Sequence, residues 1–312
     1  MTEPRRSGPL WGIALKVLSV LIFVGMQVSL KSAGPLPPGQ LVFFRSFFAV
    51  FPIIAVLAWR HELAGALRTA HPVSHIIRGM VGVSSMGLGF FALTLLPLPE
   101  WIALGYAQPL IVVMIGALFM GETVRLWRWG AVAVGFVGVV VISWPKLTLF
   151  AHPEDFGRGE ALGVVAALSA AAISAVAVTL VRRLVHTERT ATIVLWFSLT
   201  GSAAALLTLP FGWAPLSPAQ ATLLVLAGLC GGVAQLLMTE AYRHAPLSTV
   251  APFEYTSIIV GTVVAFLLFD EVPTVYVAVG SAIVVASGLV IIWRESRLNV
   301  ARLKARQISP PQ

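Results

Sequence analysis

About ten apolar stretches, each long enough to cross a membrane, follow one another along the chain with little sequence between them. They cover residues 10–30, 39–59, 72–94, 98–120, 125–144, 160–181, 190–211, 217–240, 246–269 and 273–293. A helix needs roughly 17–25 apolar residues to span the hydrocarbon core of a bilayer. Because backbone N–H and C=O groups in lipid must be hydrogen-bonded within the segment, each stretch is predicted to be a helix. The expected fold class is an all-α membrane protein with ten transmembrane helices.

The composition excludes a water-soluble protein. Of the 312 residues, 58% are hydrophobic and only 11% are charged, and the mean hydropathy is +0.90. Soluble domains carry about 25% charged residues, so too few polar side chains remain here to cover a surface in water. The single cysteine, Cys230, excludes an internal disulfide and a multi-cysteine metal site. The lipid bilayer is therefore an expected partner, and we expect neither a metal nor a cofactor.

The positions of Lys and Arg predict the orientation of the chain. With a cytoplasmic N-terminus, fifteen basic residues fall in inner segments: Arg5, Arg6, Arg60, Arg68, Arg125, Arg128, Arg182, Arg183, Arg189, Arg243, Arg294, Arg297, Arg302, Lys304 and Arg306. The outer loops then carry three, which are Lys31, Lys146 and Arg158. Since positive charge collects on the cytoplasmic side, we predict cytoplasmic termini and a location in the cell inner (plasma) membrane. The net charge of +8 forms no basic patch with aromatics, which argues against a nucleic-acid partner.

The two halves of the chain match each other at a constant shift of 149 residues. Eight pairs coincide without a gap: Gly79/Gly228, Gly82/Gly231, Pro97/Pro246, Leu98/Leu247, Tyr106/Tyr255, Leu118/Leu267, Glu122/Glu271 and Trp144/Trp293. The predicted organisation is a cytoplasmic tail at 1–9, a first repeat at 10–144, a connecting loop at 145–159, a second repeat at 160–293 and a basic cytoplasmic tail at 294–312. Five helices per repeat, an odd number, invert the second copy. Inverted repeats around a substrate site at the membrane midplane are typical of secondary transporters.

Two stretches resemble a known family. The run QPLIVVMIGALFMGETVRLWRWGAVAVGFVGVVVIS (108–143) is similar to the EamA module of the drug/metabolite transporter superfamily. The run FEYTSIIVGTVVAFLLFDEVPTVYVAVGSAIVVASGLVII (253–292) resembles its second copy. The resemblance implies a central cavity and the movement of a small metabolite by alternating access. The segments APFEYT and LLFDEVP look most like the bacterial branch that includes riboflavin and S-adenosylmethionine carriers.

A glutamate and an arginine are predicted to be the charged members of the substrate site. Glu254 lies about 12 Å into the ninth predicted helix, where a charge costs about 2.5–3.5 kcal/mol. Its functional interpretation is a site for a substrate amine or a coupling proton, and the alternative is a salt bridge between helices. Arg45, about 9 Å into the second helix, needs a carboxylate such as Glu254 or Glu100, and a structural role is equally open for it. Lys16 is expected to extend its amine to the cytoplasmic surface.

Aromatic side chains extend the predicted site, which we expect helices 2, 4 and 9 to line. Trp101 and Tyr106 lie in the fourth helix, and the repeat pairs Tyr106 with Tyr255 across the pseudo-symmetry axis. Facing tyrosines would stack on a flat ligand, and aromatic packing between helices is the alternative. The substrate hypothesis is riboflavin. S-adenosylmethionine, an amino acid or a drug would use the same scaffold.

Further polar candidates for the substrate site are Gln27, Gln108, Gln235 and Glu100. For the glutamines, the alternative role is hydrogen bonding between helices. Glu100 opens the fourth helix at the outer face, where it also offers an acceptor to a buried arginine.

Three residues are expected to be structural. Pro109 is expected to kink the fourth helix, but Ile258 takes its place in the second copy, so the kink is not carried over. Glu122 and Glu271 occupy equivalent helix ends, just before the next helix begins. A carboxylate there is expected to stabilise the N-terminal amides of that next helix.

The sequence gives little support for an enzyme. Neither HExxH nor the phosphate-binding GxxxxGK(S/T) occurs, so transport would be facilitated or driven by a gradient, with a coupling proton or cation as a further partner. His71 and His75 have metal-ligand spacing but no nearby carboxylate. With Arg68 and Arg78 they are interpreted as basic residues of the cytoplasmic edge. A membrane-embedded enzyme is the alternative from another class.

Overall fold

The structure is a computed structural model that describes residues 9–119, 126–147, 159–185, 187–244 and 251–308. These residues form eleven α-helices: α1 (Pro9–Ser32), α2 (Pro38–Trp59), α3 (Pro72–Leu95), α4 (Leu98–Gly105), α5 (Ala107–Phe119), α6 (Leu126–Leu147), α7 (Glu160–Leu184), α8 (Thr190–Leu206), α9 (Pro218–His244), α10 (Thr256–Phe269) and α11 (Val275–Ile308). Short 3₁₀ helices lie at Leu63–Gly65, Leu209–Phe211 and Ala251–Tyr255. The described residues contain no β-strand.

Ten apolar helical segments account for the membrane region. Six are long and apolar enough to cross a bilayer: Leu10–Ser32, Pro38–Trp59, Pro72–Leu95, Leu98–Ile115, Glu160–Val181 and Pro218–His244. Four are shorter: Trp129–Pro145, Thr190–Leu206, Phe253–Phe269 and Val275–Ile291. The segment Leu98–Ile115 combines α4 with α5, so these two helices form one span. The predicted class, an all-α membrane protein with ten transmembrane helices, is confirmed.

Some helix ends differ from the sequence-based expectation. The last helix continues to Ile308, although its predicted end is at residue 293. The sequence predicts Glu254 inside an α-helix, but the residue lies in the 3₁₀ helix before α10. Glu122, most of the predicted connecting loop and the two chain ends fall outside the described residues.

Both halves change helical geometry at the tyrosines that the repeat pairs. In the first half, α4 ends at Gly105 and α5 begins just after Tyr106. Pro109 lacks an N–H, and its ring clashes with the carbonyl four residues earlier, that of Gly105, which explains the break. In the second half, the 3₁₀ helix ends at Tyr255. The position equivalent to Pro109 is Ile258, so no proline explains this second interruption. The two halves therefore reach a similar interruption by different local means.

The most extensive helix contacts join one half of the chain to the other. The helix α1 packs on α9, α3 on α7, α2 on α8 and α9, and α6 on α11. At the α6–α11 contact, a Cβ added to Gly138 would lie 2.7 Å from the carbonyl oxygen of Gly280, and one added to Gly280 would lie 2.6 Å from that of Gly138. Only glycine permits this backbone approach. The halves thus interlock.

The centre of the main hydrophobic cluster is the short helix α4. Leu98, Ala103 and Leu104 are completely buried there. The helices α6, α7, α10 and α11, from both halves, pack around α4. This position brings the break at Tyr106 into the interior of the bundle.

Candidate functional site

A cavity of about 260 Å³ lies beside the break between α4 and α5. Its walls come from α1, α3, α4, α5, α7 and the start of α10. Five of the nine predicted substrate-binding residues line it: Gln27, Trp101, Tyr106, Gln108 and Glu254. Arg45, Glu100, Tyr255 and Gln235 are not among its lining residues. Small-molecule sites typically enclose about 300–1,000 Å³, so this cavity is close to the lower end of that range.

The two repeat-related tyrosines contact each other directly. Their ring centroids are 4.9 Å apart and the rings are tilted by 53°. The Tyr106 hydroxyl lies 3.1 Å from the backbone carbonyl oxygen of Glu254 and contacts the hydroxyl of Ser257. Tyr255 is buried. The geometry therefore favours the aromatic-packing interpretation for Tyr255, while Tyr106 faces the cavity.

Two other lining residues have well-defined chemistry. The indole Nε1 of Trp101 donates a hydrogen bond to the carbonyl oxygen of Gly89, at 2.7 Å, which fixes the plane of the ring. The amide oxygen of Gln27 is buried and lacks a hydrogen-bond partner in the described part of the chain. Buried amide oxygens are normally satisfied. This oxygen is thus available to a donor from a ligand.

The partner of Glu254 is Lys16. The Lys16 ammonium lies 3.5 Å from the Glu254 carboxylate and 3.5 Å from the Tyr242 hydroxyl. The prediction that Lys16 extends to the cytoplasmic surface is wrong, because the residue is only 1% exposed. A lysine extends to the surface when no counter-ion lies within the bundle, and here one does. The salt bridge between helices, which the sequence analysis gives as the alternative role of Glu254, is present. The Glu254 carboxylate also borders the cavity, and 43% of the side chain is exposed.

Arg45 and Gln235 belong to a separate cluster. The Arg45 guanidinium donates to the amide oxygen of Gln235 at 3.3 Å and lies 5.1 Å from the centroid of the Phe197 ring. The expectation that Arg45 pairs with Glu254 or Glu100 is wrong within the described residues. The two expected carboxylates lie elsewhere: Glu254 pairs with Lys16 of α1, and Glu100 lies in the first turn of α4.

Two residues interpreted as part of the cytoplasmic edge are buried instead. Arg78 is 6% exposed and lies 3.9 Å from the centroid of the same Phe197 ring. His75 is completely buried, stacks on Trp196 and lies 3.8 Å from Glu188. Sequence position near a helix start does not show which way a side chain faces, and α8 covers this face of α3.

Glu271 stabilises a helix N-terminus, but not the predicted one. Its carboxylate accepts a hydrogen bond from the backbone N–H of Leu98, at 2.9 Å, so it caps α4 in the other half of the chain. It also pairs with Lys31 at 2.7 Å. The expectation was a cap on the next helix, α11. Glu100 lies buried in the first turn of the same helix α4.

Sequence reasoning does not identify three residues of the interior: Lys16 and Ser257, which contact Glu254 and Tyr106, and Arg78, which shares the Phe197 ring with Arg45. Lys16 carried the clearest signal, since a lysine well inside an apolar helix requires a partner. Ser257 carried no distinguishing signal. For Arg78, its position almost two turns into α3 was the available indication.

Each of the two halves of the chain matches a known protein family. Residues 7–144 and 161–293 each match the EamA-like transporter family. The chain belongs to this family. The two matches confirm the predicted resemblance and the arrangement as two EamA repeats, and they identify a multi-pass membrane transporter that handles a small molecule.

Several curated relatives share nearly the full length. A riboflavin transporter of Rhizobium johnstonii is 31% identical over 304 residues, covering 95% of this chain and 94% of the relative. An S-adenosylmethionine uptake transporter of Rickettsia felis is 25% identical over 289 residues, covering 92% and 94%. A pseudopaline exporter of Pseudomonas aeruginosa is 26% identical over 281 residues, covering 88% and 94%. One solved crystal structure, 22% identical, matches with a TM-score of 0.66 over 92% of this chain and 98% of that chain, which supports the fold alone.

Proposed function

We propose that this EamA transporter is a secondary carrier that moves its substrate by alternating access, without ATP hydrolysis and without an enzymatic reaction. The observation that carries the proposal is the cavity at the break between α4 and α5. It is enclosed by helices from both repeats and combines aromatic, amide and acidic groups. Interrupted helices near the centre of inverted repeats are the usual place for a transported solute.

Riboflavin is the substrate that the chemistry of the cavity supports best. Trp101 and Tyr106 offer aromatic surfaces to a flat ring system. The free amide oxygen of Gln27 and the side chain of Gln108 match the hydrogen-bonding edge of such a ring. The relative from Rhizobium johnstonii, named a riboflavin transporter, gives separate support.

S-adenosylmethionine is the second candidate, because one lining residue is an acid. The Glu254 carboxylate would pair with a cationic group of that ligand in competition with Lys16. The relative from Rickettsia felis, named an S-adenosylmethionine uptake transporter, supports this alternative.

The experiment is uptake of labelled riboflavin into proteoliposomes that contain the purified full chain. We expect saturable uptake that does not need ATP, and Trp101→Ala to raise the half-saturating concentration by about tenfold through loss of ring contact. Trp144→Ala is the matched control, because Trp144 is 55% exposed on α6, away from the cavity. Uptake of S-adenosylmethionine but not riboflavin would favour the second candidate. Uptake of neither, or chemical conversion of either compound, would contradict the proposal.

Orientation is part of the same proposal: the inner membrane is the location, and both termini are cytoplasmic. The excess of Lys and Arg in alternate loops supports it. A green fluorescent protein fused to the C-terminus should fluoresce, whereas alkaline phosphatase fused there should be inactive. The reverse result would contradict this orientation.

A further inference from the structure

Two arginines meet in the interior of the bundle, away from the cavity described above. Arg45 comes from α2 and Arg78 from α3, and they are 4% and 6% exposed. Both guanidinium groups lie over the ring of Phe197 in α8. The cluster therefore lies where α2 and α3 of the first repeat contact the second repeat.

The hydrogen-bond donors of this cluster are largely unsatisfied. The Nε of Arg45 and the Nε and Nη1 of Arg78 are buried without a partner in the described residues. The hydroxyl groups of Ser46 and Ser198, the chain neighbours of Arg45 and Phe197, are buried and unpartnered as well. The contact to Gln235 is the hydrogen bond that the structure gives these two arginines. Unpaired buried donors, charged ones above all, are strongly unfavourable.

The positive charge is also uncompensated. Within the described part of the chain, no carboxylate lies within 4 Å of either guanidinium. One aromatic ring shared by two cations attracts each of them by less than the cost of burying an unpaired charge. The two like charges also repel each other. The two guanidinium groups therefore have no negatively charged partner among the described residues.

The backbone packs closely on the cluster at two glycines. A Cβ added to Gly82 would lie 2.9 Å from Cε2 of Phe197, and one added to Gly231 would lie 3.2 Å from Nε of Arg45. These glycines are equivalent in the two repeats. Each repeat thus contributes a glycine at the same position, and together they leave the space that Phe197 and Arg45 occupy.

The geometry points to a binding site for one small oxyanion, a carboxylate or a phosphate, held by Arg45 and Arg78 where α2, α3 and α8 meet. The planar guanidinium group matches two oxygens of such an anion at once. The free N–H groups of the two guanidinium groups supply the donors, and Gln235 orients Arg45. The anion comes either as a free ion or as the acidic group of a transported metabolite.

Direct binding to the purified full chain in phosphatidylcholine nanodiscs tests the site. Equilibrium dialysis with labelled phosphate and labelled acetate, at constant ionic strength in sodium chloride, should give saturable binding of about one ion per chain. Arg45→Gln and Arg78→Gln should each weaken it by at least about tenfold. Arg60→Gln, which changes an exposed arginine at the end of α2, is the matched control and should bind as the unmodified protein does.

Competition separates the two sources of the anion. S-adenosylmethionine, which carries a carboxylate, should displace the labelled anion if the site takes an acidic group of a metabolite. Lack of displacement alongside saturable binding would exclude the carboxylate of S-adenosylmethionine as the bound group and favour a free ion. If neither labelled anion binds the unmodified protein, or if both arginine variants bind as well as it does, the proposal is overturned. Binding and uptake are measured separately, so this failure is distinct from failure of the transport proposal.

Discussion

The two basic clusters inside the bundle differ in how their charge is neutralised. Lys16 is almost completely buried and has an acid, Glu254, and a phenol, that of Tyr242, as partners. Arg45 and Arg78 are buried to a similar degree and share an aromatic ring and one amide. The first cluster is electrically balanced by the protein itself. The second depends on something that the described chain does not supply.

The clusters also differ in their relation to the cavity. Glu254 is partly exposed and lies in a 3₁₀ helix, whose hydrogen bonds are weaker than those of an α-helix. Lys16 sits within the long helix α1. The acidic end of the pair is therefore the end that can respond to a ligand, whereas the basic end is fixed. Neither arginine has such a partner near the cavity.

The largest effect is expected from Glu254→Gln, which leaves the Lys16 ammonium buried without a carboxylate. Removing one member of a buried pair costs about 3–5 kcal/mol. Because the Glu254 side chain is 43% exposed, we expect a loss of about 2–3 kcal/mol in the free energy of unfolding. Titration with sodium dodecyl sulfate, followed by tryptophan fluorescence, measures it. Glu62→Gln is the control, since the exposed pair of Glu62 with Arg189 should contribute less than about 1 kcal/mol. Equal losses for Glu254→Gln and Glu62→Gln would contradict the claim that Glu254 neutralises a buried charge.

A smaller effect is expected from Lys16→Met. It leaves the carboxylate without its ammonium, but this carboxylate is partly exposed at the cavity, so the loss should be about 1–2 kcal/mol. The double variant should lose less than the sum of the single losses, because the two groups interact directly. The same detergent titration gives all three values. Strict additivity would show that the ion pair has no energetic role.

The smallest effect is expected from Arg78→Met in chloride buffer. Removing one of two like charges relieves repulsion and leaves no acid unpaired, while the contact of Arg78 with the Phe197 ring is lost. Because these two effects oppose each other, the free energy of unfolding should change by less than about 1 kcal/mol. Adding phosphate should stabilise the unmodified protein but not this variant, as measured by the same titration. A loss as large as that of Glu254→Gln would show that Arg78 has an acidic partner in the chain, and the contrast between the clusters would disappear.

The fold was predictable because it depends on local and repetitive properties. Segment length and apolar composition define the spans, and the constant shift that aligns Tyr106 with Tyr255 defines the repeats. The C-terminal end of α11 and the interruption at Tyr255 were not predictable in the same way. The first depends on whether the helix continues beyond the membrane into water. The second depends on a local 3₁₀ geometry, and Ile258 gives no sequence signal for it.

The candidate site was only partly predictable. Trp101, Tyr106 and Glu254 were singled out because polar and aromatic groups are unusual in an apolar helix, and they do line the cavity, although binding of substrate by them stays a prediction. The ion-pair partners were assigned wrongly. Pairing depends on how the helices pack and on the rotation of each helix about its axis, and these bring Lys16 rather than Arg45 to Glu254.

The glycine contact between α6 and α11 has a consequence for how the carrier can move. At Gly138 and Gly280 the two backbones touch, and these helices are the last of each repeat. Neither helix contributes a wall to the cavity. Under the proposed alternating-access mechanism, this pair would stay together while the helices that line the cavity tilt relative to it.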